Sequence, residues 1–450
     1  MSFVTDKTPA DETNGPGNSA TSAHDSVLRL SFNQDCTSLA MGTIKSYFLY
    51  TIVQENQIIE NRSSEIRPFP NIHQLPYDNV RIIERLYASS LLAVVSDQAP
   101  RKLKVCHFKK GTEICSISFP NNIRTVKLNR LKLIVCLDES IYIYNMRDMK
   151  VLHMIRDVPL NPDGLCALSS DDKSQYLAYP GSSITGEIQI FDTSNLKPGV
   201  TISAHDSPLA AMEFDGNGAR IATASNKGTV IRIHSVTDGT RLFEFRRGIR
   251  RVATIYCFAF SPDSSFLAAS SNTGTIHIFR LVTQKEKPAE APVSWMGTFS
   301  RVLEDVAYYL PKQTSEVLTQ ERAFATVHHP SSETKTIIAI TASTDALKLF
   351  VAGYDGIVHT YEVNTRDGGE CQLMNQYSLF QISSSDQTNT TTNNFHDGAT
   401  RKYPPNLLRN ETNAVALTNN AHLVDQTFNT AIEQDSFPPL PSPPLGGHDE

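Results

Sequence analysis

Arg246 and Arg247 are the residues of this sequence best suited to chemistry, because each of two adjacent guanidinium groups can bind an anion. They lie in the segment LFEFRRGIRR, residues 242–251, which is the most basic short run in the middle of the chain. Neighbouring side chains on an extended strand point to opposite faces. The arginine pair therefore predicts two separate sites, one on each side of a strand.

Two similar segments flank the arginine pair. Residues 214–234 align without a gap with residues 260–280, at an offset of 46 residues, and both contain a Ser-Asn-x-Gly-Thr turn. A glycine lets backbone N–H groups approach an anion, and hydroxyl groups donate to phosphate oxygens. The alternative is that these residues only build ordinary turns.

The two segments differ in their basic residues. Arg232 aligns with Ile278, and His277 aligns with Ile231, so each segment adds one residue that can carry positive charge. The pattern predicts one anion pocket around Arg246 with Arg232, and another around Arg247 with His277. The planar fork of arginine suits phosphate. The alternative is that both arginines pair with carboxylates on neighbouring elements.

The elements that position these residues are short β-type runs, which recur from about residue 27 to about residue 363 with turn residues between them. Weaker copies of the repeat occupy residues 30–52, 167–193 and 338–363, and helical periodicity is almost absent. A repeated unit of this length with four short strands is typical of a β-propeller blade. The sequence predicts an all-β, seven-bladed β-propeller over residues 27–365. The predicted blades are 27–78, 79–121, 122–158, 159–200, 201–245, 246–330 and 331–365.

Both ends of the 450-residue chain are polar, and we predict disordered tails at residues 1–26 and 375–450. The chain has a net charge of −6, and residues 381–450 contribute −5 of it, so nothing in the overall charge favours nucleic acid. The seven cysteines are scattered and never form C-x-x-C, which indicates buried, reduced thiols in a cytosolic protein. The sequence shows no signal peptide and no run long enough to span a bilayer.

The sixth predicted blade contains a long insertion, residues 282–322, with an amphipathic pattern and two exposed-type aromatics, Trp295 and Phe299. This composition suits shallow insertion into a membrane interface. The alternative is that the insertion packs against a neighbouring blade or has no fixed structure. A second surface feature is the alternation of Lys127, Arg130 and Lys132, which indicates either a solvated strand face or a docking surface for an acidic partner.

Catalytic signatures are missing from the sequence: it has no nucleophile elbow, phosphate-binding loop or kinase motif. We therefore predict a binding protein that is not an enzyme and needs no cofactor. A propeller that binds acidic peptides as a scaffold, without any role at lipid, is the alternative function.

The Phe-Arg-Arg-Gly segment, residues 245–248, resembles the motif of the PROPPIN family of phosphoinositide-binding propellers. The resemblance runs from about residue 30 to about residue 373. The segments most similar to the animal WIPI branch of that family are residues 99–114, 145–153, 177–181, 204–211 and 368–371.

This resemblance implies a seven-bladed propeller with two sites for the headgroups of phosphatidylinositol 3-phosphate and phosphatidylinositol 3,5-bisphosphate. It implies a first site of Thr223, Ser225, Gly228, Thr229, Arg232 and Arg246, with His205 as an additional member. It implies a second site of Arg247, Gly248, Ser271, Thr275 and His277. Phe245 belongs to the lipid-binding motif as its first residue.

The resemblance also implies a cellular role. A PROPPIN is expected to be cytoplasmic and to be recruited to the periphery of preautophagosomal, autophagosomal and endosomal membranes, where it acts in autophagosome formation. The long insertion occupies the position of the family's membrane-inserting loop. Lys127, Arg130 and Lys132 are the expected dock for an acidic segment of the autophagy conjugation scaffold, with Arg130 as its anchor.

Overall fold

Short β-strands account for almost all regular structure in the computed structural model of the protein. The structure describes residues 26–52, 66–69, 75, 77–247, 252–281, 323–330, 334–342 and 346–380. Residues 1–25 and 381–450 of the two predicted tails lie outside this part of the chain. Residues 375–380, predicted as the start of the C-terminal tail, belong to it and include the end of a strand, so the tail was predicted to begin too early. Within the described residues, twenty-nine strands form seven sheets, which we number as blades 1 to 7 in chain order.

Blades 1 to 4 each contain four strands that follow one another along the chain. Their strands are β1 (Val27–Phe32), β2 (Ser38–Thr43), β3 (Tyr47–Ile52) and β4 (Ile66–Pro68) in blade 1, β5 (Val80–Arg85), β6 (Leu91–Ser96), β7 (Lys102–His107) and β8 (Thr112–Ser118) in blade 2, β9 (Thr125–Leu128), β10 (Lys132–Cys136), β11 (Ile141–Asn145) and β12 (Val151–Ile155) in blade 3, and β13 (Ala167–Leu168), β14 (Tyr176–Pro180), β15 (Gly186–Asp192) and β16 (Lys197–His205) in blade 4.

Blades 5 to 7 complete the ring. The chain of blade 7 also contributes one short strand to the sheet of blade 6. Their strands are β17 (Leu209–Phe214), β18 (Arg220–Ser225), β19 (Val230–Ser235) and β20 (Arg241–Arg246) in blade 5, β21 (Ile255–Phe260), β22 (Phe266–Ser271), β23 (Thr275–Arg280), β24 (Ala325–His328) and β28 (Gly369–Glu370) in blade 6, and β25 (Thr336–Ala342), β26 (Leu347–Gly353), β27 (Ile357–Val363) and β29 (Gln372–Ser378) in blade 7.

The hydrophobic core consists of seven clusters, and each cluster fills the space between two neighbouring blades. The fourth cluster joins blade 7 to blade 1, with Phe350 packed in the same cluster as Tyr50. The first strands of successive blades also contact one another in a closed ring. The protein is therefore a seven-bladed β-propeller, as the sequence repeat predicts.

The propeller extends past residue 365, where the sequence repeat predicted its end. The outer strand of blade 7, β29, follows a short strand, β28, that pairs in parallel with β24 of blade 6. The repeat missed β29 because four of its seven residues are exposed and the other three are only partly buried, so its polar sequence lacks the alternation of an inner strand. The predicted end of blade 4 at residue 200 is also wrong, because β16, the outer strand of that blade, continues to His205.

Candidate anion-binding site at blades 5 and 6

The arginine pair lies at the end of β20, the outer strand of blade 5. Phe245 stacks on Phe279 of blade 6, with ring centroids 4.6 Å apart, so odd-numbered side chains of β20 face blade 6. On the other face, Arg232 lies opposite Glu244 and donates to the Ala204 carbonyl of blade 4 at 2.6 Å. The structure thus places Arg246 and Arg247 on opposite faces of blade 5, as strand alternation predicts.

Phe245, the first residue of the predicted lipid-binding motif, is buried in the structure. Its side chain is 1% exposed and lies between Phe243 and Phe279 in the cluster that joins blades 5 and 6. A buried ring cannot contact a headgroup, so the prediction that Phe245 binds lipid is wrong. Its contribution is to anchor the end of β20, from which both arginines project.

The first cluster is a row of side chains that crosses three strands of blade 5. Thr223, Arg232 and Glu244 lie opposite one another on β18, β19 and β20. The Arg232 Nε donates to Glu244 Oε2 at 2.8 Å, and the Thr223 hydroxyl bonds with the imidazole of His205 at 3.0 Å. The Arg232 guanidinium is therefore fixed by the Glu244 carboxylate and the Ala204 carbonyl. It lies in the middle of the row, on the same face of blade 5 as Arg246.

Arg246 lies two residues beyond Glu244 on the same face of β20, opposite Val230 of β19. Its Nε atom is buried and has no hydrogen-bond partner among the residues that the structure describes. Burial raises the pKa of Glu244, but the hydrogen bond and charge of Arg232 and the charges of Arg241 and Arg246 outweigh it and lower that pKa. A buried donor without a partner is rare, and an anion would satisfy it.

His205 is a neutral hydrogen-bonding group in this cluster. Burial lowers its pKa to about 4, and the nearby charge of Arg232 acts in the same direction. The imidazole comes from the last residue of β16 in blade 4, so the first cluster bridges two blades. It fixes the Thr223 hydroxyl and adds no positive charge near neutral pH.

The second cluster surrounds Arg247 between blades 5 and 6. The guanidinium donates to Thr273 Oγ1 at 2.6 Å, to Ser271 Oγ at 3.3 Å and to the carbonyl of Gly228 at 3.3 Å. Thr273 was missed by the sequence reasoning. The gapless repeat aligns it with Lys227, and that difference between two otherwise similar turns was the available signal.

His277 and Thr275 extend the second cluster along β23. Burial lowers the pKa of His277 to about 4, and the charges of Arg247 and His328 lower it further. The expectation that His277 supplies positive charge is therefore wrong near neutral pH, because burial beside an arginine disfavours the imidazolium. Thr275 lies opposite His328 of β24, which places that exposed imidazole at the edge of the same cluster.

The turn between β18 and β19 links the two clusters. Gly228 has φ of +58°, and a Cβ atom there would collide with the Ala253 carbonyl oxygen, so only glycine fits. Its N–H donates to the Ser225 carbonyl at 2.9 Å, and the Thr229 carbonyl accepts from the Arg247 N–H at 3.1 Å. Gly248, which follows Arg247, lies outside the described residues.

Lys127, Arg130 and Lys132 do not form one surface. Lys127 is on β9, an inner strand of the ring, where burial lowers its pKa but the carboxylates of Glu84 and Glu213 outweigh burial and raise it. Those carboxylates are on the inner strands β5 and β17, so Lys127 faces the central channel. The chain turns after Leu128, and strand alternation therefore does not continue to the other two bases.

Arg130 and Lys132 lie outside the channel. The guanidinium of Arg130 lies 4.0 Å from the ring centroid of Tyr87 and 3.6 Å from Asp172 Oδ2, so it bridges blades 2 and 4. Lys132 begins β10 and lines a shallow groove with Arg147 and Leu152. Of the three residues predicted to form the docking surface, only Arg130 and Lys132 therefore remain candidates.

The predicted membrane-facing residues Trp295 and Phe299 lie outside the described residues. Within the part of the chain that the structure describes, no helix has the length and apolar character needed to cross a membrane.

Comparison with known proteins agrees with this geometry. The family model described as PROPPIN matches residues 26–380, which span the whole propeller. The chain belongs to the PROPPIN family. This PROPPIN is 51% identical over 366 residues to WD repeat domain phosphoinositide-interacting protein 2 of Gallus gallus, with 81% of each chain covered.

More distant relatives share the same extent. Autophagy-related protein 18 of Caenorhabditis elegans is 37% identical, over 82% of this PROPPIN and 89% of the relative. Among solved structures, "Complex of KlAtg21 with coiled-coil of AgAtg16" matches with a TM-score of 0.58 and 25% identity, over 79% of this PROPPIN and 99% of that chain. The residues that the family model matches include both arginine clusters.

Proposed function

We propose that this PROPPIN binds phosphatidylinositol 3-phosphate and phosphatidylinositol 3,5-bisphosphate through two pockets and recruits autophagy proteins to forming autophagosome membranes. The observation that carries the proposal is the placement of Arg246 and Arg247 on opposite faces of blade 5, each beside its own cluster of hydroxyl and imidazole groups. Relatives named as phosphoinositide-interacting support a phosphoinositide as the anion.

In the first pocket, the Arg246 guanidinium supplies the charge that binds a phosphate. Ser225 and Thr229 supply hydroxyl groups, and Gly228 lets the backbone of the turn approach the headgroup. The buried Thr223 hydroxyl holds the row in place through its bonds with His205 and the Arg232 carbonyl. Arg232 and His205 act as positioning residues, because Glu244 and Thr223 already engage them.

In the second pocket, Arg247 supplies the charge, and Ser271, Thr275 and neutral His277 supply hydrogen bonds. Thr273 holds the guanidinium in place before a ligand arrives. A bound phosphate would favour the protonated form of His277, since an anion raises the pKa of a nearby imidazole.

Two pockets on one molecule make the binding of a membrane much stronger than either pocket alone. Linking two weak sites raises the overall affinity by about 10²–10⁴ where both can be occupied together. Insertion of Trp295 and Phe299 at the membrane interface would add a third, apolar contact. The protein would then reside at the surface of preautophagosomal, autophagosomal and endosomal membranes as a binding protein that performs no chemistry.

Recruitment of protein partners is assigned to the opposite side of the molecule. Arg130 and Lys132, at blade 3, are the bases available to an acidic segment of the autophagy conjugation scaffold. The solved complex of KlAtg21 with the coiled coil of AgAtg16 supports a helical partner of this type for a relative.

The experiment that tests the proposal is flotation of the full chain with vesicles that contain each phosphoinositide. Arg246→Ala combined with Arg247→Ala is expected to abolish flotation while the melting temperature stays near that of the parent. Arg147→Ala combined with Lys150→Ala is the matched control, because it removes the same charge from an exposed connection of blade 3. Flotation of the double arginine variant at the parent's level would refute the proposal, and a parent that never floats would favour the protein-only scaffold.

A further inference from the structure

Two exposed apolar side chains lie beside the arginine clusters. Ile184 is 77% exposed and Val252 is 65% exposed, and they are the two most exposed large hydrophobic side chains among the residues that the structure describes. Strands in a blade alternate in direction, so the turns between second and third strands lie on the same side as the links between blades. Ile184 is in such a turn of blade 4, and Val252 is in the link from blade 5 to blade 6.

Ile184 lies next to the first cluster. The turn that carries it is held in shape by Ser182, whose Oγ accepts hydrogen bonds from the N–H groups of Ile184 and Thr185 at 3.1 Å each. Gly186, two residues after Ile184, pairs with His205 of β16, and a Cβ atom at Gly186 would collide with the His205 side chain. The turn that carries Ile184 therefore leads directly into the pairing with His205, whose imidazole bonds Thr223.

Val252 lies between the two clusters. The residue after it, Ala253, donates its N–H to the Lys227 carbonyl at 3.1 Å, and its own carbonyl abuts Gly228. The following Thr254 N–H donates to Asn272 Oδ1 at 3.0 Å in the corresponding turn of blade 6. The link is thus pinned to the turns of both clusters, while the Val252 side chain stays in solvent.

We propose that Ile184 and Val252 insert into the surface of a lipid bilayer while the two pockets hold headgroups. This inference rests on the function proposed above. Single exposed apolar residues are common on soluble proteins and need no explanation. These two lie on the same side as both arginine clusters. The exposed Lys227 lies beside the Val252 link, in the turn that contains Gly228. Apolar tips mixed with a cation suit an anionic lipid surface.

The position of these tips gives them a role separate from the 282–322 insertion. They are fixed relative to the pockets by backbone hydrogen bonds, so they set how deep the headgroup sites can approach the bilayer. A protein partner would also bury these two apolar side chains. Because they adjoin the arginine pockets, we assign lipid as the partner of this surface.

Binding to phosphatidylcholine vesicles that contain phosphatidylinositol 3-phosphate tests this proposal. Full burial of an aliphatic side chain is worth about ten- to a hundredfold in partition, so shallow insertion predicts about a five- to tenfold weaker affinity for Ile184→Ser. Ile184→Ser with Val252→Ser should be weaker still, and binding of the soluble inositol 1,3-bisphosphate headgroup should not change. Leu242→Ser is the matched control, because Leu242 is 44% exposed at the opposite end of β20 from Arg246, and its vesicle affinity should equal the parent's.

The outcomes separate this inference from the proposed function. If the parent binds neither headgroup nor vesicles, the proposed function fails; if the parent binds and the Ile184 and Val252 double variant binds equally well, the insertion of the tips is refuted. A direct readout uses Ile184→Trp in a Trp295→Phe background with brominated lipids. Quenching of the new tryptophan supports insertion, and vesicle binding without quenching refutes it for Ile184 and leaves a protein as the partner of that tip.

Discussion

Replacing Arg247 with alanine should remove one pocket and leave the other intact. Arg247 faces blade 6, where Ser271 and Thr273 accept its hydrogen bonds, whereas Arg246 faces blade 4. The two guanidinium groups therefore have no side-chain partner in common among these contacts. Arg247→Ala should halve the number of headgroups bound to each molecule and should not change the affinity of the remaining site.

The size of the effect follows from the contacts that the arginine would make. A hydrogen bond to a charged group contributes about 1.5–3 kcal/mol, which corresponds to a factor of about 10 to 150 in affinity. The mutated pocket should weaken by that factor for soluble headgroup. On vesicles the loss should reach about 10²-fold, because the linkage between two pockets is lost as well.

The assay is calorimetric titration of the soluble headgroup, followed by vesicle flotation of the same samples. The expected stoichiometry is two for the parent and one for both Arg247→Ala and Arg246→Ala, with the two variants retaining different sites. Arg247→Lys is a useful companion, because it keeps the charge but loses the planar fork. A stoichiometry of two in Arg247→Ala, or of zero in either single variant, would refute the assignment of one arginine to each pocket.

Two further predictions concern the scaffold beneath the pockets. Gly228→Ala should lower the free energy of unfolding by about 1–3 kcal/mol, because Gly228 has a positive φ. Chemical denaturation can measure this loss against Gly216→Ala, whose Cβ would meet nothing closer than 3.6 Å. Equal stability of the two variants would contradict the prediction. The lowered pKa values of His205, His234 and His277, each about 4, predict a pH dependence. The unfolded chain takes up protons below about pH 6.5 while these folded imidazoles stay neutral, so stability is full above that pH and falls towards pH 4, by at most about 1.4 kcal/mol per pH unit for each histidine. Denaturation at pH 7 and pH 5 should show a smaller loss in His234→Gln than in the parent, and an unchanged loss would count against this origin.

The propeller itself could be predicted from the sequence because its signals are local. The 46-residue offset between residues 214–234 and 260–280 reflects two blades with the same turns, and β17–β19 align with β21–β23 as that repeat requires. The outer strand β29 could not be found in this way. It is partly exposed and polar, and it is held by its pairing with β27 rather than by a hydrophobic pattern of its own.

The candidate site shows a similar division. Strand alternation is a property of the backbone, so the separation of Arg246 from Arg247 was visible in the sequence. Alternation does not say which face a neighbouring blade covers. Phe245, which the motif resemblance assigned to lipid, is buried against blade 6. It also does not say where a strand ends, so Lys127 was grouped with Arg130 although β9 stops at Leu128 and directs Lys127 to the channel.

The repeat, the two Ser-Asn-x-Gly-Thr turns and the arginine pair between them can be read from the amino-acid sequence alone. The tertiary structure decided which side chains those arginines meet. Glu244 holds Arg232, burial keeps His205 and His277 neutral, and Thr273 of the next blade positions Arg247. The physical reason is that charge state and hydrogen bonding depend on burial and on neighbours from other blades, which are distant in sequence and meet only when the ring closes.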